Sequence, residues 1–194
     1  MTILVFIRHG LTEWNEHSFV QGRSDVPLSK KGRMQVSEWQ VPKSFKNFDI
    51  VASPLLRARE TATILFGKNI TLDKRLVEMD WSEWEGRSLS DLRAELGNLM
   101  EAWEKKGLDF KAPNGESPRE VQYRLMPFMR EIAIAKQCTV AVCHKGVIRA
   151  AFALATNWDM KSKPSKRLRD DCFHLFKLAK DGQPHIHKLN VPMI

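Results

Sequence analysis

The sequence has few cysteines and no long apolar run, and both shortages restrict what the protein can be. Its three cysteines, Cys138, Cys143 and Cys172, are odd in number and lack a C-x-x-C spacing, which argues against a disulfide framework and a zinc knuckle. No segment approaches the roughly 18 apolar residues that a membrane span needs. The N-terminal apolar run has no basic region before it and no cleavage pattern. We therefore expect an unprocessed, soluble, cytoplasmic protein without membrane association.

The chain also lacks the basic runs interleaved with aromatic residues that favour nucleic-acid binding. Its formal net charge is nevertheless +8, from 31 Lys and Arg against 23 Asp and Glu. Such an excess favours an anionic partner. The densest basic cluster, residues 161–169, contains Pro164 and is interpreted first as a solvated loop. We therefore expect a small phosphorylated metabolite as the partner, and no nucleic acid.

A metal site has little support in the sequence. His185 and His187 alternate along a predicted strand, so both side chains could point to one face as a metal pair. Catalytic zinc usually takes three protein ligands, and no third ligand lies nearby. We interpret the two histidines as surface residues and predict no metal site and no cofactor.

Strand and helix patterns alternate along the chain, with no internal repeat or low-complexity segment. This alternation predicts an α/β fold, a three-layer sandwich with a mostly parallel central sheet flanked by helices. We expect one domain over residues 1–194, with a small helical cap inserted at about 78–116 over the carboxyl edge of the sheet. The predicted strands are 2–7, 49–52, 70–76, 139–143, 172–178 and 185–191, and the main predicted helices are 54–66, 89–106, 118–135 and 147–155.

Three local signals define helix boundaries. Ser53 is a predicted N-cap, with Pro54 at the first helical position. Ser117 begins a capping-box pattern that opens the helix toward Ala135. Gly97 is a local weakness within the helix predicted over 89–106.

Polar residues follow three of the predicted strands. Arg8-His9-Gly10 follows the first strand, Ser53 leads into Arg57 after the second, and His144-Lys145-Gly146 follows the strand at 139–143. Alone, the first motif could be a basic surface turn, since short motifs have a high false-positive rate. In parallel sheets, however, ligands bind at the carboxyl ends of the strands. Convergence would place two arginines and two histidines around a single anion.

An ordered set of motifs over most of the chain resembles the histidine phosphatase superfamily, the phosphoglycerate-mutase-like enzymes. As a set, these motifs are far more specific than any of them alone. They are Arg8-His9-Gly10 with Thr12 and Asn15, Gln21-Gly22, Asp25-Val26-Pro27-Leu28 ahead of Gly32, Ser53-Pro54-Leu55, Arg57-Ala58, Thr61-Ala62, Leu76-Val77-Glu78, Trp84-Glu85-Gly86, Gly115-Glu116-Ser117 and His144.

The resemblance implies a role for each matching residue. His9 would be the nucleophile that becomes phosphohistidine, and Glu78 would donate a proton to the leaving oxygen. The resemblance implies that the transferred phosphoryl group is bound by Arg8, Arg57 and His144. It implies substrate binding nearby by Thr12, Asn15 and Gln21, of which Gln21 is less firmly assigned in the family.

The chemistry of phosphoryl transfer calls for the same residue types. A neutral imidazole is a competent nucleophile, and an adjacent guanidinium disfavours its protonated form. Arginine forks and a histidine donor can stabilise charge on the phosphoryl oxygens, so protein cations could replace a metal ion. Residue types alone leave the general acid open, because Glu83 and Glu85 have a claim similar to that of Glu78.

The chain departs from the family pattern at two positions. Lys145 follows His144 where glycine is usual, and its positive side chain could strengthen substrate binding or point outward. Ser82 stands where glycine commonly precedes the Trp-Glu-Gly segment, which could alter the path of the Glu78 loop. Both changes bear on substrate geometry and leave the implied catalytic set intact.

Three functions stay open, and we favour hydrolysis of a small phosphate monoester through phospho-His9. Mutases of the family shield the intermediate from water with additional cap segments and a C-terminal tail, whereas this chain has only residues 89–114 for a cap and ends soon after its last strand. Mutase-type phosphoryl transfer is the first alternative, and a non-catalytic anion-binding regulatory module of the same fold is the second. Aromatic residues in or near the cap could stack on a substrate ring, although apolar packing is favoured. They are Trp81, Trp84, Trp103 and Phe110.

Overall fold

A mixed six-stranded sheet forms the centre of the protein. The computed structural model describes residues 2–67 and 69–193. The strands are β1 (Thr2–Arg8), β2 (Asp49–Ala52), β3 (Thr71–Leu72), β4 (Thr139–Cys143), β5 (Cys172–Leu178) and β6 (Pro184–Pro192). Their spatial order is β3-β2-β4-β1-β5-β6. The first four in this order are parallel, and β5 and β6 add two antiparallel pairings at one side. The predicted α/β fold with a mostly parallel sheet is confirmed.

Helices cover both faces of this sheet. Within the described residues they are α1 (Glu13–Glu16), α2 (Lys30–Glu38), α3 (Leu56–Phe66), α4 (Leu89–Leu96), α5 (Asn98–Glu104), α6 (Pro118–Ala135) and α7 (Lys145–Thr156). Helix α6 begins with the predicted capping box. The Ser117 hydroxyl accepts from the Glu120 N–H, and the Glu120 carboxylate accepts from the Ser117 N–H. None of the helices in residues 2–67 and 69–193 has both the length and the apolar character that a membrane crossing needs.

Alternation along β1 produces the three layers. Leu4 and Phe6 belong to an apolar cluster with α6 and α7, whereas Val5 and Ile7 belong to a second cluster with α2 and α3. All four side chains are fully buried. Successive strand residues point to opposite faces, so a continuous apolar run is the pattern required when both faces are covered.

The segment containing α4 and α5 has an apolar cluster of its own, centred on Trp84, Leu92, Met100 and Ala112. Its aromatic rings pack against one another, with ring centroids 5.4 Å apart for Trp84 and Trp103 and 5.6 Å apart for Trp81 and Phe110. This contact pattern is the apolar packing that the sequence favours. The description of residues 78–116 as a cap insertion within one domain stays a prediction.

The structure corrects three predicted element boundaries. The third helix begins at Leu56 rather than Pro54. The Ser53 hydroxyl accepts from the Leu55 N–H at 3.3 Å and also bonds His144, and the Leu56 N–H donates to Asp25 Oδ1 at 2.6 Å. The strand predicted over residues 70–76 is only Thr71–Leu72, and a short 3₁₀ segment follows it. The helix predicted over residues 89–106 is two helices, divided at Gly97, whose φ is +49°.

Candidate active site

The three predicted strand ends lie next to one another at the carboxyl edge of the sheet. Arg8 is paired in register with Cys143 of β4, and Ala52 of β2 is paired with Val142. The ladder continues one step beyond the strands, since the His9 N–H donates to the Cys143 carbonyl at 3.1 Å. The polar residues that follow β1, β2 and β4 therefore share one edge.

His9 is held with one ring nitrogen free. Its Nδ1 lies 2.7 Å from the Gly10 carbonyl oxygen. A carbonyl only accepts, so Nδ1 carries the proton of the neutral ring and Nε2 has a lone pair. Burial, followed by the positive charges of Arg8 and Arg57, lowers the pKa of His9 well below its ordinary value. The unprotonated Nε2 is therefore the stable form at neutral pH.

A second imidazole faces the first. The ring centroids of His9 and His144 are 5.2 Å apart. His144 is fully buried, its Nε2 lies 2.8 Å from the Ser53 hydroxyl, and its Nδ1 is buried without a hydrogen-bond partner. Burial, then the positive charge of Arg57, lowers its pKa well below the usual value.

Arg57 is a fully buried cation. It donates from Nη1 to the Ser24 carbonyl at 2.8 Å and from Nη2 to the Gly22 carbonyl at 2.7 Å, while its Nε is buried without a partner. Burial lowers its pKa, and the carboxylate of Glu78 opposes that shift. The N–H of Nε is thus available for a ligand.

Among the residues that the structure describes, three buried nitrogens of the site have no hydrogen-bond partner: Arg8 Nε, Arg57 Nε and His144 Nδ1. Leaving a buried polar group unpaired costs about 1–3 kcal/mol, and more for a charged one. Two of these three groups belong to guanidinium cations. An anion with several oxygen acceptors could accept hydrogen bonds from these guanidinium groups.

Glu78 contacts the first turn of α7. Its Oε2 accepts from the Gly146 N–H at 3.1 Å, and a Cβ added to Gly146 would stand 2.3 Å from Glu78 Oε1. Glycine at position 146 therefore makes room for the carboxyl. The departure at Lys145, one residue earlier, leaves this contact intact.

The other two candidate acids are engaged elsewhere. Glu85 accepts from the backbone N–H groups of Arg23 at 2.7 Å and Ser24 at 2.8 Å, which stabilises the turn that holds Arg57. Glu83 is exposed and accepts from Asn114 Nδ2 at 3.0 Å. Glu78 is thus the member of the three that the structure places against the start of α7.

A cleft of about 680 Å³ opens at the site. Among the predicted residues, Arg8, His9, Asn15 and Lys145 line it. Arg57 and His144 are fully buried and do not line the cleft. The same cleft is lined by residues 167–171, so the basic cluster interpreted as a solvated loop is in part a wall of the site.

Two predicted substrate-binding residues do not line the cleft. Thr12 is fully buried and caps α1, where its hydroxyl accepts from the Asn15 N–H. Its backbone N–H donates to Asn15 Oδ1 at 3.1 Å, which orients the Asn15 amide. Gln21 is also buried, and its Oε1 has no partner. For Thr12, the structure supports a positioning contact rather than a direct one.

Thr61 is a connecting residue that the sequence reasoning did not assign to the site. Its hydroxyl accepts from the Gly10 N–H at 3.0 Å and donates to the Arg57 carbonyl at 2.7 Å. It therefore ties the loop after β1 to α3. Its position one turn after Arg57 on the same helix could have indicated this role from the sequence.

His185 and His187 are both exposed on β6. Within residues 2–67 and 69–193, no group of three or more His, Cys, Asp and Glu side chains is arranged to hold a metal ion. The pair therefore has no third ligand of these types in the described part of the chain.

Phosphatases and a probable mutase are among the known proteins that this chain resembles. The "Uncharacterized phosphatase PhoE" of Bacillus subtilis is 32% identical over 184 residues, covering 93% of this chain and 91% of that protein. The "Probable phosphoglycerate mutase GpmB" of Citrobacter koseri is 35% identical over 129 residues, and the match spans 60% of its length. A mycobacterial glucosyl-3-phosphoglycerate phosphatase, solved in complex with VO3, superposes with a TM-score of 0.83 at 25% identity, covering 98% of this chain and 100% of that one.

The family profile of the histidine phosphatase superfamily (branch 1) matches residues 4–192. This match includes all three strand ends and the Glu78 segment. It agrees with the resemblance carried by the ordered motifs. The chain belongs to the histidine phosphatase superfamily.

Proposed function

We propose that the protein hydrolyses a small phosphate monoester through a phosphohistidine on His9, without a metal ion. One observation carries the proposal: His9, with Nε2 free, lies at the same sheet edge as the unpartnered Nε atoms of Arg8 and Arg57, and its ring centroid is 5.2 Å from that of His144. A nucleophile is thereby placed beside groups that can bind phosphoryl oxygens. The similarity to a phosphatase over nearly the whole chain supports the same reaction class.

In the first step, the lone pair of His9 Nε2 attacks phosphorus as the bond from phosphorus to the ester oxygen breaks. Both electrons of that bond go to the ester oxygen, which takes a proton from the Glu78 carboxyl and leaves as an alcohol. The guanidiniums of Arg8 and Arg57 stabilise the phosphoryl oxygens in the transition state.

In the second step, water attacks phospho-His9. Glu78, now a carboxylate, takes a proton from the water, the bond from phosphorus to Nε2 breaks, and inorganic phosphate leaves. Neutral His9 is regenerated with its Nδ1 proton still directed to the Gly10 carbonyl. Because the cations come from the protein, no step requires a metal ion.

Access of water favours hydrolysis over phosphoryl transfer to a second substrate. His9 lines the open cleft of about 680 Å³. A mutase must keep its phosphoenzyme from water. The similarity to GpmB, a probable mutase, keeps mutase-type transfer as the second candidate.

The test is hydrolysis of p-nitrophenyl phosphate in the presence of EDTA. We expect the wild type to be active under these conditions and His9→Ala to lose activity by at least about 10³-fold, because the nucleophile is removed. Activity that EDTA abolishes would contradict the metal-free mechanism. Wild-type protein that binds phosphate but hydrolyses no ester would favour the non-catalytic module.

A further inference from the structure

The two arginines of the site are held in different ways. Both terminal nitrogens of Arg57 donate to backbone carbonyls, those of Ser24 at 2.8 Å and Gly22 at 2.7 Å. In the described part of the chain, the partner of the Arg8 guanidinium is a single side chain, Asp170, whose Oδ2 lies 2.6 Å from Arg8 Nη1. The orientation of Arg8 therefore depends on a carboxylate rather than on backbone.

Arg8 needs such a partner because a second cation acts on it. Burial lowers the pKa of Arg57, and the positive charge of Arg8 adds to this shift, which means that the two guanidiniums repel each other. Arg8 also lines the cleft, and its side chain is 16% exposed. Without its carboxylate partner, the Arg8 side chain could turn away from Arg57 and into the cleft.

The contact with Asp170 leaves one donor of Arg8 free. Asp170 lies against Nη1, whereas Nε of Arg8 is buried and has no hydrogen-bond partner among the residues that the structure describes. A guanidinium is planar, and its N–H groups form a fixed fork. Fixing one terminal nitrogen therefore also fixes the direction of the Nε–H bond.

The loop that carries Asp170 is itself held to the sheet. Asn190 of β6 accepts at Oδ1 from the Arg169 N–H at 2.9 Å and donates from Nδ2 to the Arg167 carbonyl at 3.0 Å. The buried His174 of β5 donates from Nε2 to the Arg169 carbonyl at 3.0 Å. These three bonds fix the backbone just before Asp170.

An irregularity in β6 accompanies these bonds. The pairing of β5 with β6 shifts between Phe173 and Leu175, where β6 has one residue more than β5. Asn190 lies in this β-bulge with a φ of +55°, a left-handed conformation in which asparagine is enriched among non-glycine residues. Bulges are frequent next to active sites, where they redirect a side chain. Here the redirected side chain is one that holds the loop at residues 167–171.

We propose that Asp170 is a positioning residue for phosphoryl transfer, which orients the Arg8 guanidinium as the carbonyls of Ser24 and Gly22 orient Arg57. Lys145 Nζ lies 3.4 Å from the same Oδ2 and gives the carboxylate a second positive neighbour. The inference rests on the proposed function, because Arg8 acts in the same reaction.

The first test is the kinetics of Asp170→Ala and Asp170→Asn with p-nitrophenyl phosphate. We expect Asp170→Ala to lower kcat/KM by about 10–100-fold, since a displaced binding group can cost about 10²-fold in rate. Asp170→Asn keeps an oxygen that can accept from Arg8, so its loss should be clearly smaller. A kcat/KM of Asp170→Ala equal to that of the wild type would overturn the proposal.

Asp109→Asn is the matched control. Asp109 lies 2.6 Å from Arg119, is about as exposed as Asp170, and does not line the cleft. Removing this carboxylate should leave kcat/KM unchanged.

A double-mutant cycle shows whether Asp170 acts through Arg8. In an Arg8→Ala protein, we expect Asp170→Ala to cause no further loss of kcat/KM, because the residue that it positions is already absent. A loss of the same size with and without Arg8 would show a general effect on the loop and would overturn the proposal.

NMR of the arginine side chains separates this result from the proposed function. We expect a sharp ¹H–¹⁵N signal for the buried Arg8 Nε–H in the wild type, identified by its absence in Arg8→Ala. The signal should broaden in Asp170→Ala and stay sharp in Asp109→Asn.

The two proposals can fail separately. If p-nitrophenyl phosphate is hydrolysed but Asp170→Ala leaves the Arg8 signal unchanged, the positioning role fails and the phosphatase stands. If no ester is hydrolysed but the signal broadens in Asp170→Ala alone, the phosphatase fails and the orientation of Arg8 by Asp170 stands.

Discussion

At the scale of single residues, the reactivity of His9 follows from one hydrogen bond and from burial. The Gly10 carbonyl selects the tautomer, and burial among cations keeps the ring neutral. The same burial leaves Arg57 Nε and His144 Nδ1 without partners in the described part of the chain. An unpaired buried donor destabilises the folded protein, and an anionic ligand that accepts its hydrogen bond offsets this destabilisation on binding.

Glu78 is the residue whose role a substitution can isolate. We expect Glu78→Gln to lower kcat for glycerol 3-phosphate by about 10²–10⁴-fold, because an alkoxide needs a proton in order to leave. The loss for p-nitrophenyl phosphate should be much smaller, since nitrophenolate leaves without one. Steady-state kinetics with both esters measure the difference.

Glu83→Gln is the control, because Glu83 is exposed and bonded to Asn114. It should leave both activities close to wild type. Equal losses for the two esters in Glu78→Gln would show that Glu78 is not the proton donor.

The motifs predicted which residues meet at the carboxyl edge of the sheet, but they did not predict the hydrogen bonds or the protonation state of each residue. The sequence places Arg8, His9 and His144 at strand ends, but it contains no information on which His9 nitrogen is free. The resemblance selected Glu78 as the proton donor, but residue types alone could not separate it from Glu85, because the distinction depends on the bonds of Glu85 to a turn about sixty residues away in sequence.

At the scale of elements, the loop after β1 is held in place by close packing against α2. A Cβ added to Gly32 of α2 would lie 1.9 Å from the Leu11 carbonyl oxygen, and one added to Gly10 would lie 2.4 Å from Val36 Cγ2. The first of these contacts is with backbone, which cannot rotate away. The glycine at position 32 thus sets how closely α2 approaches the loop that carries His9.

We expect Gly32→Ala to destabilise the protein by about 1–3 kcal/mol, the usual cost of overpacking, and to lower activity because the His9 loop must shift. Chemical denaturation and p-nitrophenyl phosphate hydrolysis measure the two effects. Met34→Ala on the same helix, where the side chain is 67% exposed, should stay within about 0.5 kcal/mol of wild type. A Gly32→Ala protein as stable as wild type would refute the packing argument.

Local patterns predicted the elements wherever burial matched periodicity. The apolar runs of β1 and β4 and the capping box of α6 are of this kind. The patterns failed where a tertiary contact decided the outcome. Ser53 resembles an N-cap in sequence, and its hydroxyl accepts from the Leu55 N–H, but the same hydroxyl also bonds His144, which lies ninety-one positions later.

At the scale of the whole molecule, the parallel order of β2, β4 and β1 gathers residues from distant parts of the chain at one edge. The sequence indicated this convergence, because three strands each end in polar residues. It did not indicate that the loop at residues 167–171 forms one wall of the cleft at the site. That wall depends on how the loop lies against Arg8, which no local pattern encodes.

The central claim is that the unprotonated Nε2 of His9 takes the phosphoryl group. The most direct test mixes the wild type with p-nitrophenyl phosphate, quenches the reaction in alkali, where phosphohistidine survives, and locates the phosphoryl group by mass spectrometry and ³¹P NMR. We predict phosphate on Nε2 of His9, formed during turnover and lost to water as inorganic phosphate. Turnover without phosphohistidine, or with the phosphoryl group on another residue, would contradict the account.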